Sequence, residues 1–269
     1  KKRIMLEKNI PLVSICIPLY KCENYLLRCL ESLKNQTYSN IEIVLVNDCT
    51  PDGSVEIAEN FIGQNQEFCI KLIHHELNSG LSVVRNTGID NASGEFIFFL
   101  DSDDVITNNC IEELIKTANK TNAEVTIGQN KWINTFDGSV KDFGFPTLAP
   151  ENFYSDNLEI FEAYCNDLFP ITSWNKLFKT SFIRENNIYF VPGLYAQDGL
   201  WFFHLMCKTE TLAINRNITY DYYLHKDSVI FNRTKKNFEN YITILEYFQK
   251  EYEKKHSEKL KKLIKKKII

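Results

Sequence analysis

The first hundred residues alternate short apolar runs with helical spacings, and this alternation constrains the fold more than any other feature. Leu12–Ile17, Ile41–Val46, Ile70–Ile73 and Glu95–Leu100 are strand-sized runs. Between them Leu26, Leu30 and Leu33, then Val55, Ala58 and Ile62, then Leu81, Val84 and Ile89 recur at helical spacing. Strands apolar on both faces and separated by helices predict an α/β fold, a Rossmann-like, mainly parallel sheet covered by helices. Ser54 stands where it can cap the second helix. Ligands of such sheets bind beyond the carboxyl ends of the strands. That directs attention to Pro18–Glu23, Asn47–Ser54 and Asp101–Asp104.

After Val105 the pattern loosens. Ile111, Leu114, Ile115 and Ala118 predict a helix, and Ala123–Ile127 a strand. Trp132–Asn152, rich in Gly, Pro and aromatics, predicts irregular chain. Leu158–Leu168 and Asp198–Cys207 predict helices, and Thr219–Leu224 a strand. From Asn237, residues Tyr241, Ile244, Leu245, Phe248 and Tyr252 mark one face of a helix that Leu260, Leu263, Ile264 and Ile268 continue. The expected organisation is an N-terminal extension (1–10), an α/β half (11–104), a smaller second half (105–232) and a basic helical tail (233–269).

Composition excludes several classes. With 44% hydrophobic and 25% charged residues among 269, the chain is not disordered. No apolar run approaches the roughly 18 residues of a spanning helix, and Lys1–Ile10 lacks the apolar core of a signal peptide. Of the eight cysteines none forms a CxxC pair, and several lie in apolar surroundings. They predict reduced thiols behaving as small hydrophobes, as in the cytoplasm. The net charge of −4 is uneven: from Lys235 onward eleven Lys against five Glu give +6, leaving −10 for the rest. An acidic body with a basic tail does not suit a nucleic-acid groove; the tail suits either an anionic membrane surface or docking of its apolar stripe on the rest of the protein.

The common nucleotide loops are missing. There is no GxGxxG, no GxxxxGK[ST] and no GxSxG, and His74-His75-Glu76 lacks the spacing of a metalloprotease helix. The strongest chemical signal is Asp101-Ser102-Asp103-Asp104. Three carboxylates at a strand end repel one another, and a divalent cation, Mg²⁺ or Mn²⁺, offsets that repulsion. An acidic turn capping the next helix accounts for the same four residues. Asp48 can accept a nucleobase N–H, or can belong to a turn and helix cap. Trp174 and Trp201 are candidates for a sugar-stacking platform, with Trp201 better suited to the core.

Together these blocks resemble the family 2 glycosyltransferases, which have the GT-A fold. The matching text is VSICIPLYKCENYLLRCLESLKNQTYSNIEIVLVNDCTPDGS, then NSGLSVVRNTGIDNASGEFIFFLDSDD, with SWNKLF and YAQDGLWF in the second half. The resemblance implies a UDP-sugar donor held by Pro18, Tyr20, Glu23, Asp48, Asn78, Arg85, Asp101 and Ser102. It makes Asp103 the ligand of Mn²⁺ or Mg²⁺, places Asp104 behind it, and makes Asp198 the general base. His225, where relatives often carry Arg, is a candidate for the diphosphate or the metal. Two positions depart from the family pattern: Asn47 precedes Asp48, and Gln197 precedes Asp198, where an acid is usual. The implied activity is inverting hexosyl or N-acetylhexosaminyl transfer to a glycan or lipid-linked acceptor of a bacterial surface polysaccharide or lipooligosaccharide. A cytoplasmic enzyme is expected, and membrane contact through the basic tail would make it peripheral on the inner face of the membrane. Metal-dependent nucleotidyl transfer does not account for the Pro18–Glu23 block. A sugar-nucleotide-binding module without turnover is favoured only by Gln197.

Overall fold

The computed structural model describes residues 10–142, 147–195, 197–226, 235–254 and 257–268. The expected extension at 1–9 and the boundary at 232/233 lie outside the described residues. The first half runs β1 (Val13–Leu19), α1 (Leu26–Lys34), β2 (Ile41–Asn47), α2 (Ser54–Gln64), β3 (Cys69–His74), α3 (Leu81–Asn91) and β4 (Phe96–Phe99). The second continues with β5 (Val105–Ile106), α4 (Cys110–Thr121), β6 (Val125–Asn134), β7 (Val140–Asp142), β8 (Phe153–Tyr154) and α5 (Asn157–Cys165). Then follow β9 (Lys176–Lys179), α6 (Thr180–Glu185), α7 (Gln197–Met206), β10 (Leu212–Leu224), α8 (Lys235–Lys254) and α9 (Glu258–Ile268).

One sheet, in the order β3-β2-β1-β4-β9-β6-β10-β5, joins both halves without a break at residue 104. Strands β3, β2, β1 and β4 are parallel, as their unbroken apolar character predicts. Strand β9 enters antiparallel between β4 and β6, so the second half is mixed. Alternate residues of the central strands feed two cores. Ile15, Ile17, Phe96 and Phe98 face α1, α2 and α4; Cys16, Ile97 and Phe99 face α3, α5 and α7. Each large side chain fully buried in this way contributes about 1.5–3 kcal/mol. Cys16, Cys22, Cys29 and Cys110 pack in these cores as small apolar groups.

Four details differ from the sequence expectations. Ser54 does not cap α2: the helix begins after Gly53 without a side-chain cap, and Ser54 N and Oγ donate instead to Asp52 Oδ1 at 3.2 and 2.6 Å. Strand β6 runs on through Asn134 and returns as β7, where irregular chain was expected. Strand β10 starts at Leu212, not near Thr219, because Asn215-Arg216-Asn217 interrupts its apolar pattern at a bulge. The short helix α6 carries too few residues to show a period.

The tail forms two helices rather than one continuous helix. Ile244, Phe248 and Ile264 are buried in the core that α5 and α7 share, and Phe248 stacks on Phe203 with centroids 4.1 Å apart. Lys259 pairs with Glu162 of α5 at 3.1 Å. The apolar stripe is thus docked on the protein, while Lys262, Lys265 and Lys266 face outward. Among the described residues no helix is long and apolar enough to cross a membrane.

Candidate active site

The three places singled out by the strand-end rule lie along one edge of the sheet, and Arg85 connects two of its acids. Arg85 belongs to the inward stripe of α3 with Val84, Gly88 and Ile89, and is 3% exposed. A buried guanidinium needs charged partners. It has two: Nη2 donates to Asp101 Oδ1 at 2.9 Å and Nη1 to Asp198 Oδ1 at 2.6 Å. Asp101 follows β4, and Asp198 stands in the first turn of α7, so one side chain joins two acids that lie 97 positions apart in the sequence. Burial opposes the charge on Arg85, but Asp198 and Asp101 outweigh it and raise its pKa above the ordinary value. Asp101 is pushed up to about 6, chiefly by burial, against the pull of Arg85 and with Asp103 and Asp198 adding. Asp198 Oδ2 accepts from Ser173 N at 3.3 Å.

Asp103 points the other way. Its Oδ2 lies 2.8 Å from His225 Nε2, and its side chain is 34% exposed. His225 follows β10 and stacks on Tyr25, with centroids 4.3 Å apart. The peptide carbonyl of Asp103 accepts from Arg28 Nη2 at 2.6 Å, and that guanidinium lies 3.5 Å from the centre of the Tyr223 ring. Asp104 is wholly buried, accepting from Tyr220 Oη at 2.7 Å and Tyr223 N at 2.8 Å. Burial raises its pKa well above the usual carboxylate range. Asp104 therefore ties the acidic turn to β10, the strand that delivers His225. Ser102 is half-buried on the turn between the acids. A carboxylate oxygen and an imidazole nitrogen side by side fit Mn²⁺ or Mg²⁺, which take oxygen and nitrogen donors and keep other positions for phosphate or water. Among the described residues no group of three or more His, Cys, Asp or Glu is arranged to hold a metal.

Asp48 anchors the far end. It is 3% exposed. Its Oδ1 accepts from Ser79 N at 2.7 Å and faces His75 Nδ1 at 3.1 Å; its Oδ2 accepts from Gly80 N at 2.8 Å and Asn78 Nδ2 at 3.0 Å. Gly80, at φ +85°, turns its N–H toward that carboxylate, a conformation L residues rarely adopt. Pro18 lines a crevice with Val46, Val84 and Arg85. Tyr20 is 43% exposed on the following turn. Glu23 Oε2 accepts from Gly53 N at 2.8 Å, and its own N–H donates to Asp52 at 3.1 Å. That pair ties the Pro18–Glu23 block to the loop after β2.

Trp174 does not offer a free face. It is 4% exposed and stacks on Tyr220 and Tyr222, with centroids 4.6 and 5.3 Å away. Trp201 is in the core, stacked on Phe190. Three contributors were not singled out from the sequence: Arg28, Tyr25 and Lys176. Lys176 is 1% exposed, with Nζ donating to Thr172 O at 2.6 Å and Oγ1 at 3.0 Å. Its signal was a Lys alternating with Phe178 on an inward strand face. Arg28 carries no such signal, because it sits on the outward side of α1.

Comparison with known proteins follows the same lines. Residues 14–185 match the family model for glycosyl transferase family 2. The putative glycosyltransferase EpsH of Bacillus subtilis (strain 168) is 34% identical over 245 residues, covering 88% of this chain and 67% of that protein. Glycosyltransferase GlyA of Streptococcus pneumoniae serotype 4 is 33% identical over 225 residues, covering 81% of this chain and 31% of that protein. The chain thus spans a third to two thirds of the length of these relatives. In fold it is similar to Staphylococcus aureus TarS 1–349 in complex with UDP-GlcNAc. The TM-score is 0.73 at 22% identity, over 88% of this chain and 66% of that one. It is also similar to the mannosyltransferase PcManGT of Pyrobaculum calidifontis in complex with GDP-Man and Mn²⁺. Here the TM-score is 0.68 at 13% identity, over 97% of this chain and 70% of that one. Both likenesses agree with the expected GT-A fold.

Proposed function

Because this chain belongs to glycosyl transferase family 2, we propose that it transfers a sugar, with inversion, from a UDP-sugar to a hydroxyl of a glycan or lipid-linked acceptor. The observation that carries the reading is the Arg85 bridge. It sets an acid of the strand-end turn and an acid of α7 on one buried guanidinium, which is the juxtaposition that donor binding and acceptor activation require. The solved neighbour TarS binds UDP-GlcNAc and UDP, which supports a UDP-sugar donor.

In this reading Asp198 takes the proton from the acceptor hydroxyl as that oxygen attacks the anomeric carbon and the bond to UDP breaks. Arg85 and Ser173 N–H fix the direction of its carboxylate. Asp101, on the same guanidinium, faces the ribose or donor sugar. Asp103, with His225 beside it, holds a divalent cation. Such an ion supplies positive charge against the departing diphosphate. Pro18, Tyr20 and Glu23 line the nucleoside side, and Asn78 shapes the loop next to it. Asp48 has four donors already in place, so a uracil N–H reaches it only by displacing one of them, most directly His75. The outward lysines of α9 supply the contact with an anionic membrane surface; replacing Lys262 and Lys265 by Glu should abolish co-sedimentation with anionic vesicles at low salt, and unchanged sedimentation would remove that role.

UDP release from a panel of UDP-sugars, with Mn²⁺ and after EDTA, tests the activity. Turnover is expected with metal and not after its removal, and Asp103→Ala should abolish it while leaving the fold intact. Full turnover in metal-free protein, or release of pyrophosphate instead of UDP, would overturn the reading.

A further inference from the structure

Among the described residues, Lys176 is a buried basic group of this region that the proposed chemistry leaves unused. Its ammonium lies beneath the Asp198 end of α7, 5.3 Å from the centre of the Phe202 ring. Among the described residues no carboxylate stands within ion-pair distance of it. Its nitrogen donates instead to Thr172 O, Thr172 Oγ1 and, at 3.4 Å, Trp174 O. All three acceptors belong to one turn. The residue between them, Ser173, is fully buried and gives its N–H to Asp198. Burying a lysine without an acid partner costs stability, and an apolar side chain of similar length would fill the same space at less cost. The return is therefore sought in geometry: an ammonium binding two carbonyls and a hydroxyl of one turn fixes the direction of the N–H that the turn presents.

We propose that Lys176 is a positioning residue for Asp198, holding the Thr172–Trp174 turn so that Ser173 N–H and Arg85 together aim the carboxylate at the acceptor. The inference rests on Asp198 being the general base. The two oxygens of Asp198 are then oriented from opposite sides, one by a side chain of α3 and one by a peptide group of the 172–174 turn. Burial pulls the pKa of Lys176 down to about 7, opposed by the charge of Asp198; with or without its third proton the nitrogen keeps N–H donors for the acceptors of the turn.

The test compares Lys176→Met and Lys176→Gln with wild type and Asp198→Asn. The first readout needs no turnover: hydrogen exchange of the Ser173 amide at one fixed pH. In wild type its bond to Asp198 should slow that exchange. In Lys176→Met the Ser173 amide should exchange at least about tenfold faster, although the carboxylate is still present. The second readout is UDP release from the UDP-sugar that wild type turns over fastest with Mn²⁺. Lys176→Met should lower kcat about 10²-fold, the scale of a misplacement near 1 Å, with UDP affinity and donor KM within about twofold of wild type. A Ser173 exchange rate and kcat like wild type in Lys176→Met, with Asp198→Asn inactive, overturn the role of Lys176 alone. Normal kcat in Asp198→Asn overturns the base reading beneath it. If neither Lys176 variant folds, the residue serves the fold and the proposal fails.

Discussion

Two buried clusters hold the acids of this site, and they do so by opposite means. Asp48 is surrounded by two peptide N–H groups, an amide and an imidazole, which between them use both of its oxygens. Asp101 and Asp198 instead share one guanidinium, and each keeps a side chain 24% exposed. Four contacts fill the acceptor sites of a carboxylate, so Asp48 shapes the 78–80 loop and takes a ligand only by giving one of them up. The Arg85 pair has acceptor capacity left for a ligand. Saturation by four donors builds a wall; a shared cation with open flanks leaves the surface that the proposed reaction uses.

The sharpest way to break this comparison is to remove the shared cation. Arg85→Met leaves two acids at the rim of the core with their partner gone. Loss of one member of a buried ion pair costs about 3–5 kcal/mol, and UDP release should vanish with it. Urea unfolding measures the first and the UDP panel the second. The double variant Arg85→Met/Asp198→Asn should regain part of the stability and none of the turnover. A loss below about 1 kcal/mol in the single variant would place the bridge among ordinary surface pairs.

Asp48→Asn acts on the other cluster and should do less. The amide presents one donor group where the carboxylate had two acceptors, so one of Ser79 N, Gly80 N or Asn78 Nδ2 meets N–H instead of oxygen. Leaving such a group unsatisfied costs about 1–3 kcal/mol. Because the 78–80 loop lies on the proposed donor side, the kinetic loss should appear in donor KM and leave kcat nearly unchanged. A kcat loss as deep as that of Asp198→Asn would erase the distinction between wall and reacting surface.

How much of this was legible in the sequence follows the same division. The parallel half was readable because β1, β2 and β4 are buried on both faces and their apolar runs are uninterrupted. The strand-end rule then found Asp48 and Asp101–Asp104 without a structure. The partners of those acids were not readable, because Arg85 and Asp198 are 113 positions apart and Asp103 and His225 are 122 apart. Only family resemblance placed them in one site. Strand β10 was half hidden because Asn215 and Asn217 bond to α4 and to the turn itself, breaking the period. Trp174 looked available on its polar-flanked segment. The rings that cover it, Tyr220 and Tyr222, lie on that same hidden strand. The tail showed its apolar stripe plainly but not what covers it, since α5 and α7 are distant in sequence.

The smallest effect concerns Lys176, and pH separates it from the acids on either side. Burial lowers its pKa from 10.5 to about 7. Between those values the unfolded chain holds a proton that the folded protein has released. Stability therefore rises with pH across that window, because the unfolded state binds more protons there. Below the window both states carry the proton, and the burial cost of the ammonium is present in full. The gain is at most about 1.4 kcal/mol for each pH unit. Lys176→Met has no proton to release, so its unfolding free energy should lack this slope. Urea unfolding of the two proteins at pH 6.5, 7.5 and 8.5 (chosen test conditions, about one unit apart) should show wild type gaining steadily on the variant. The slopes of the carboxylates are shared by both proteins and cancel in the difference. A flat difference would mean that the ammonium stays charged throughout, bound to its turn as firmly as Arg85 is bound to its two acids.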